Sequence, residues 1–227
     1  MSNTLDPLKL TRKDGKVVDV IFYIDAGIDV VEILDIKKLK FEGMKTKDIK
    51  KSLIHNEVLR GEDKIYLQNK CSKMRAGLSK RHLNKIISTV FTKDTEGKYS
   101  YLKKEIVSNA DLIFYSAIPI LKHAEIKKPL LYNTQIIHRF ALPLKIGGLV
   151  FLVMVTVKER TDFEEVEIDE FSIYDLYSEV QQNKKSLDSP SKASVGEPMT
   201  FLSHYQVITY SINDLRTFVN RSITNFE

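Results

Sequence analysis

The most regular alternation of apolar and polar positions lies in two runs that flank Gly147 and Gly148. The first run, QIIHRFALPLKI (135–146), directs its side chains alternately to two faces, as a half-buried strand does. The second run, LVFLVMVTVKER (149–160), is apolar until its last residues. A Gly-Gly dipeptide readily adopts the positive φ angles of a two-residue turn, so the sequence predicts a β-hairpin here.

The register of this hairpin follows from the turn, because a shift of one residue would move every side chain to the other face. If the residues that flank the turn pair with each other, Arg139 lies opposite Thr156. One face of the hairpin is then apolar and stacks Phe140 on Val155. Guanidinium, ammonium and hydroxyl groups all bind anions. The other face is therefore predicted to be either an anion-binding surface or an ordinary half-exposed sheet surface. Its three polar side chains are those of Arg139, Thr156 and Lys158.

Shorter patterns predict the remaining elements. The acidic stretch DFEEVEIDE (162–170) is expected to enlarge the loop after the hairpin, and the polar residues 181–198 to form a long mobile loop. Ser79 is expected to cap a basic amphipathic helix. The other helices are predicted at 45–59, 101–110 and 211–221, and the extended segments at 16–24, 29–34, 64–70, 112–118, 171–177 and 203–210.

This order of elements predicts an α+β fold. Helices are expected to pack on one face of a twisted four- to five-stranded antiparallel sheet whose other face is open. Residues 1–35 are expected to form an N-terminal extension that consists of a strand pair. Residues 36–227 are expected to form the main α+β domain, which includes the mobile loop 181–198.

Composition excludes several classes of protein. The single cysteine, Cys71, rules out an intramolecular disulfide framework and a cysteine-rich zinc site. The start of the chain lacks the apolar segment of a signal peptide, and no apolar stretch is long enough to span a membrane. We therefore expect a cytoplasmic protein without a membrane partner.

Charge is strongly segregated along the chain. Residues 37–104 contain nineteen Lys and Arg against seven Asp and Glu, a net charge of +12. Residues 161–227 contain five against twelve, a net charge of −7. A basic block beside an acidic tail favours a polyanion such as RNA or DNA as the partner. The alternative is a set of lysine-rich helices that are merely solvated.

The order of several weak motifs resembles a known family. These motifs are IKKLKFEGMKTKDIKKSLIHNEVL, the basic turn CSKMRAGLSK, the helix end at Asn109 and Ala110, ILKHAEIKKP, the hairpin with VTVKE, IYDLY and SINDLRTFVN. Together they are similar to the large polyvalent protein-associated domains of phages and mobile elements, over roughly residues 33–221. Those domains are grouped with the barnase/EndoU/colicin/RelE-like (BECR) nuclease fold.

The resemblance implies a function as well as a fold. It implies helices packed on a four-stranded antiparallel sheet and a metal-independent endoribonuclease, a toxin- or effector-like hydrolase of phage or mobile-element origin. RNA, including tRNA, would be the substrate. An inhibitory partner protein would hold the enzyme in check, and delivery into a target cell would fit an effector.

Metal-free cleavage of RNA needs a base, an acid and a cation beside the phosphate. Arg139 and Lys158 are candidates for holding the phosphate, and Thr156 for donating a hydrogen bond to it. His82 or His123 is a candidate acid or base. The catalytic set also includes His138, although the alternation places it on the apolar face unless a β-bulge turns it. His204 is a further histidine on a predicted strand.

The basic turn and helix supply the predicted RNA-binding residues, which are Lys73, Arg75, Lys80 and Arg81. Tyr174, in a predicted strand, is either a base-stacking or a core residue. The five histidines form no metal-binding motif, and no phosphate-binding loop is present, so no metal or cofactor is expected.

Two other functions compete with the endoribonuclease. One is a non-catalytic module that binds nucleic acid or protein through the same fold and basic face. The other is a phage structural or anti-defence protein whose acidic tail mimics nucleic acid. Catalysis requires a histidine within reach of Arg139 and Lys158, whereas binding requires only the positive charge.

Overall fold

The computed structural model describes most of the first three quarters of the chain. The predicted loop 181–198, strand 203–210, helix 211–221 and His204 lie outside the described residues. Those residues are 9–11, 15, 17–23, 33–37, 39–41, 44–93, 100–125, 135–146, 149–160 and 163–175.

The described elements are nine strands and four α-helices, the first of which continues into a π-helical turn at Leu53–Glu57. The helices are α1 (Thr46–Ser52), α2 (Lys80–Lys93), α3 (Ser100–Ser108) and α4 (Ala110–Ser116). The strands are β1 (Lys9–Thr11), β2 (Val17–Phe22), β3 (Leu34–Ile36), β4 (Lys64–Gln68), β5 (Arg75–Ser79), β6 (Ile118–Ala124), β7 (Gln135–Ile146), β8 (Leu149–Arg160) and β9 (Glu165–Asp175).

The β7–β8 hairpin confirms the predicted register. Ile146 pairs with Leu149, and the ladder continues without a shift to the other end of both strands. Arg139 therefore lies opposite Thr156, as predicted, and Lys158 lies opposite Ile137. Each strand is twelve residues long. The hairpin also lies in the middle of the strand order of the sheet.

All nine described strands belong to one sheet, and eight of them follow the order β1-β2-β6-β7-β8-β9-β5-β4. Most neighbours are antiparallel, but β5 runs parallel to β9. Strand β3 pairs in parallel with β7 at Leu144 to Ile146, beyond the part of β7 that pairs with β6. The result is a large mixed sheet.

The prediction of a four- to five-stranded antiparallel sheet with an N-terminal strand pair was therefore wrong. Among the described residues, the predicted segments 16–24 and 29–34 do not pair with each other. Strand β2 instead lies between β1 and β6, and β3 joins β7. Such pairings connect positions far apart in the sequence, and no local pattern specifies them. The segment 64–70, taken as a short extended piece, contains β4, which forms a hairpin with β5 in the basic turn.

Two further segments differ from the prediction. The acidic stretch 162–170 is not an enlarged loop, because Glu165 to Glu170 form the first half of β9. Its alternation of acidic residues with Val166 and Ile168 has the two-residue period of a strand. The segment 112–118, predicted as extended, is mostly the end of helix α4, and a strand begins only at Ile118.

The helices pack on one face of the sheet. Their buried apolar side chains form a single core with those of the strands, and the rings of Phe114 and Phe140 meet edge to face with centroids 5.3 Å apart. Helix α2 begins where predicted, since the Ser79 hydroxyl accepts a hydrogen bond of 3.3 Å from the His82 amide. This capping fixes the direction in which α2 leaves strand β5.

The other face of the hairpin is also buried, contrary to the expected open face. Leu152 is 0% exposed, and Ala141, Pro143 and Met154 on the same face are buried as well. This apolar half of the face adjoins the polar half that contains Thr156. Polar groups on this face therefore lie at the margin of a buried surface.

None of the described helices is long and apolar enough to cross a membrane.

Burial of both faces makes a prediction about stability. Leu152→Ala should lower the free energy of unfolding by about 2–5 kcal/mol, because it empties space that neighbouring side chains now fill. Leu144→Ala, on the helix-covered face, is the matched control and should cost a similar amount. Urea unfolding measures both. A change within about 0.5 kcal/mol for Leu152→Ala, as at exposed positions, would show that this face is open.

Candidate functional site

The polar part of the second sheet face contains Arg139 and Thr156. The Arg139 Nη1 group donates a short hydrogen bond to the Thr156 hydroxyl, as expected for directly opposed residues in neighbouring strands. Thr156 is only 3% exposed. The two predicted residues therefore do meet, but the Thr156 hydroxyl is almost out of reach of solvent.

Lys158 lies on the same face and is bound by carboxylates. Its Nζ atom lies 3.1 Å from Asp169 Oδ2 and 3.7 Å from Glu125 Oε2. Asp169 also accepts a hydrogen bond of 2.6 Å from Lys85 of helix α2. Burial alone would raise the pKa of Asp169, but the hydrogen bond from Lys85 and the charge of Lys158 lower it. The carboxylate therefore stays ionised and neutralises the cation predicted to hold a phosphate.

A β-bulge produces this arrangement. Thr156 pairs with Glu170 and the next residue, Val157, pairs with Ile168, so Asp169 is an extra residue in β9. A bulge of this kind redirects a side chain at a sheet. Here it allows Asp169 to contact both a lysine of β8 and a lysine of helix α2. Nothing in the local sequence indicates it.

His138 lies on the opposite face from Arg139. The ladder passes through it without a bulge, so it stays on the face of Phe140. Its Nδ1 atom makes a short hydrogen bond with the Tyr23 hydroxyl, and its Nε2 atom lies 2.7 Å from Glu159 Oε2. Burial lowers the pKa of His138 and, with the charge of Glu159, raises that of Tyr23 to about 12. The structure therefore does not bring His138 together with Arg139 and Lys158.

His123 is the histidine that shares a face with Arg139. It pairs with Ile137, whose partner on the other side is Lys158, so the three positions form one row across the sheet. The Nδ1 atom of His123 lies 2.7 Å from the Ala124 carbonyl oxygen and donates to it. Its buried Nε2 atom has no hydrogen-bond partner in the part of the chain that the structure describes. Burial lowers the pKa of this imidazole, which favours the neutral form.

His82, at the start of α2, is part of a different ion-pair cluster. Its Nδ1 atom lies 3.0 Å from the Ser79 hydroxyl and 3.3 Å from Glu167 Oε2. Glu167 also lies 3.1 Å from the Nζ atom of Lys64. The Lys64 side chain passes over Gly77 to reach Glu167. A Cβ atom at position 77 would overlap the lysine side chain. The cluster brings together the β4–β5 hairpin, β9 and α2.

The four predicted RNA-binding cations are exposed on the β4–β5 hairpin and the first turn of α2. Lys73, in the turn, has a positive φ of 60°, and Arg75, Lys80 and Arg81 follow it. Among the described residues, no carboxylate forms an ion pair with any of the four. Their charge therefore faces solvent. Tyr174 lies in β9 opposite Leu152 and not on this hairpin.

Asn69 holds this basic turn in place, a role that no local sequence pattern indicated. The side chain is fully buried and its amide nitrogen donates to the carbonyl oxygens of Phe114 and Ala117, at 2.7 and 2.6 Å. Its amide oxygen accepts hydrogen bonds from the Cys71 and Ser72 amides, at 3.1 and 2.8 Å. One side chain thus joins the turn to the end of helix α4.

A cleft that sequence reasoning missed lies beside these cations. It has a volume of about 460 Å³ and separates the β4–β5 hairpin from the β8–β9 turn. Tyr66 stands on one side with the Arg75 guanidinium 4.6 Å from its ring centroid. Phe163 stands on the other with the Arg160 guanidinium 4.5 Å from its ring centroid. The alternation KIYLQ does place Tyr66 on the solvent side, but the role of Phe163 depends on the fold.

No group of three or more His, Cys, Asp or Glu side chains in the described part of the chain is arranged to hold a metal ion.

Comparisons of the chain with protein-family models, with curated proteins and with solved structures gave no match. The resemblance to the phage-associated nuclease domains therefore stays a prediction, and the site is judged by its own geometry.

The two buried histidines make a prediction about pH. Burial lowers the pKa of His123 and of His138 below 6.5, so the unfolded chain binds protons more readily than the folded protein. Their contribution to stability is complete above pH 6.5 and is lost as the pH falls toward the lowered values. The limiting slope is about 1.4 kcal/mol per pH unit for each histidine.

Urea unfolding between about pH 7.5 and pH 5 measures this slope, which His123→Gln and His138→Gln should each reduce. His55→Gln is the control, since that histidine is exposed. Equal slopes in all four proteins would show that neither buried imidazole titrates differently in the folded state.

Proposed function

We propose that the protein binds nucleic acid, RNA first, through the β4–β5 hairpin and the first turn of α2. One observation supports this proposal above the others. The cations of the Arg139 face are partnered or neutralised within the fold, whereas Lys73, Arg75, Lys80 and Arg81 are exposed and form no ion pair with a described residue. Only exposed cations without a carboxylate partner can exchange their counterions for phosphates.

The difference between the two sets of cations is energetic. Lys158 would have to leave two carboxylates before it could bind a phosphate, and Asp169 would then repel the incoming anion. Breaking a partly buried ion pair leaves a charge without compensation, which costs several kcal/mol. The exposed lysines and arginines pay no such cost. Nucleic acid should therefore bind at the edge of the sheet and not at its centre.

A metal-independent endoribonuclease is the second candidate, and one specific observation favours it. His123 shares its face with Arg139 and Thr156, and its neutral form leaves Nε2 free to accept a proton. That arrangement supplies a general base beside a guanidinium. It ranks second because His123 and Thr156 are each only 3% exposed. An inhibitory partner protein belongs to this candidate alone.

The salt dependence of RNA binding tests the first candidate. Each phosphate contact to a single strand contributes about 0.7 to the slope of log K against log salt concentration. Lys80→Ala/Arg81→Ala should therefore reduce that slope by about 1.4, measured by fluorescence anisotropy with a labelled RNA. Lys47→Ala/Lys51→Ala removes the same charge from the exposed surface of α1 and should leave the slope close to that of the natural protein. Equal losses in both double variants would mean that only net charge matters.

Incubation with total tRNA and a messenger RNA in EDTA separates the two candidates. We expect the RNA to stay intact while binding persists, because the Arg139 face is neutralised and largely buried. Fragments that form in EDTA, and that disappear in His123→Gln and in Arg139→Ala, would make ribonuclease the function instead. Thermal unfolding of both variants would establish that they are folded.

A further inference from the structure

We propose that the cleft between Tyr66 and Phe163 binds an unstacked base of a single-stranded nucleic acid. This inference rests on the proposed function and deepens it, because it adds a preference for single strands to binding by charge. Four observations support it: the exposure of the two rings, the arginine beside each ring, the volume and charge of the cleft, and its position next to the exposed cations.

The two aromatic rings are unusually exposed. Tyr66 is 56% exposed and Phe163 is 61% exposed, the largest exposed fraction among the large hydrophobic residues in the described part of the chain. Single exposed hydrophobic residues are common, but here two aromatic residues border one cleft. Exposed aromatic rings are the surfaces on which single-stranded nucleic acids stack their bases, at about 1–3 kcal/mol per base.

An arginine lies over each ring. The Arg75 guanidinium is 4.6 Å from the Tyr66 centroid, and the Arg160 guanidinium is 4.5 Å from the Phe163 centroid. This contact limits the rotation of the ring and places a cation next to it. A guanidinium plane is itself a stacking surface for bases, and its charge attracts the phosphate of the same nucleotide. Both sides of the cleft thus offer a planar surface. The available positive charge lies on the Tyr66 side, because Arg160 Nη1 is 3.9 Å from Glu165 Oε2 whereas Arg75 forms no ion pair with a described residue.

The volume and charge of the cleft suit a nucleotide. Its 460 Å³ falls within the range of about 300–1,000 Å³ that is usual for small-molecule sites. Three cations and two carboxylates line it, a net charge of +1. The Nζ atom of Lys64 lies 3.0 Å from Glu165 Oε1, so these two charges compensate each other within that sum. The polar groups of the cleft can donate to and accept from the edge of a base stacked on one of the rings.

The position of the cleft favours a nucleic acid over a peptide. Arg75 belongs both to the cleft and to the exposed basic hairpin, so a strand bound along the cations would place a base at Tyr66. A peptide could instead add to β4, which ends the described order of the sheet. Such a peptide would need backbone hydrogen bonds along β4 and not the two rings, which makes the ring variants informative.

The experiment compares three ligands by fluorescence anisotropy at one low salt concentration. These are a short single-stranded RNA of mixed sequence, the same RNA as a duplex, and heparin as a polyanion without bases. The variants are Tyr66→Ala, Phe163→Ala and their double. Tyr66→Phe and Phe163→Tyr keep a ring, and Tyr115→Ala removes an exposed ring on α4, away from the cleft. Circular dichroism and thermal unfolding verify that each variant is folded.

We expect each ring-to-alanine variant to weaken single-strand binding by roughly 5- to 150-fold while heparin binding is unchanged. The ring-keeping variants and Tyr115→Ala should bind like the natural protein. Single-strand binding that is equal in the natural protein and the double alanine variant would overturn the cleft proposal alone. A natural protein that binds none of the three ligands would overturn the proposed function itself. Equal weakening for RNA and heparin would also overturn the cleft proposal, since a loss of charge attraction would then explain it.

Discussion

The pairing of β7 with β8 decides which face of the sheet each neighbouring side chain occupies. Twelve residues of each strand pair without a shift, so the register that joins Arg139 to Thr156 also decides the face of every neighbouring side chain. A slip of one residue would put Phe140 where Arg139 now lies and would expose the helix-covered core. The shorter strands on both sides take their positions from this hairpin, as β6, β3 and β9 all pair with it directly.

The same register explains why the centre of the sheet is a poor place to bind an anion. It sets Lys158 in a row with Glu167 of β9, and the bulge at Asp169 brings a second carboxylate within 3.1 Å of the lysine. Carboxylates of one strand neutralise cations of the next, so little net positive charge remains there. At the β4–β5 edge Lys64 is likewise paired with Glu165 and Glu167, but the exposed cations of the turn form no ion pair with a described residue and keep their charge. The structure thus separates cations that hold the fold together from cations that are available to a partner.

The sequence predicted the features that depend on local patterns. The Gly147-Gly148 dipeptide and the period of two correctly predicted the β7–β8 register, and Ser79 correctly marked the start of α2. The number of strands was wrong because β2, β3 and β5 find partners far along the chain. The first half of β9 was missed because an acidic stretch was taken as a loop, whereas its second half lies in the predicted segment 171–177. The cleft could not be predicted, since Tyr66 and Phe163 are nearly a hundred positions apart. They come to border the same cleft only through the β5–β9 pairing.

Ultraviolet crosslinking of a single-stranded RNA to the full chain, followed by mass spectrometry of the peptides, would locate the bound nucleic acid on the sheet. We expect crosslinks at Tyr66 or Phe163, together with crosslinks in the basic hairpin. Crosslinks confined to the strands around His123, Arg139 and Thr156 would contradict this expectation, because they would place the nucleic acid on the neutralised centre of the sheet and favour the ribonuclease instead.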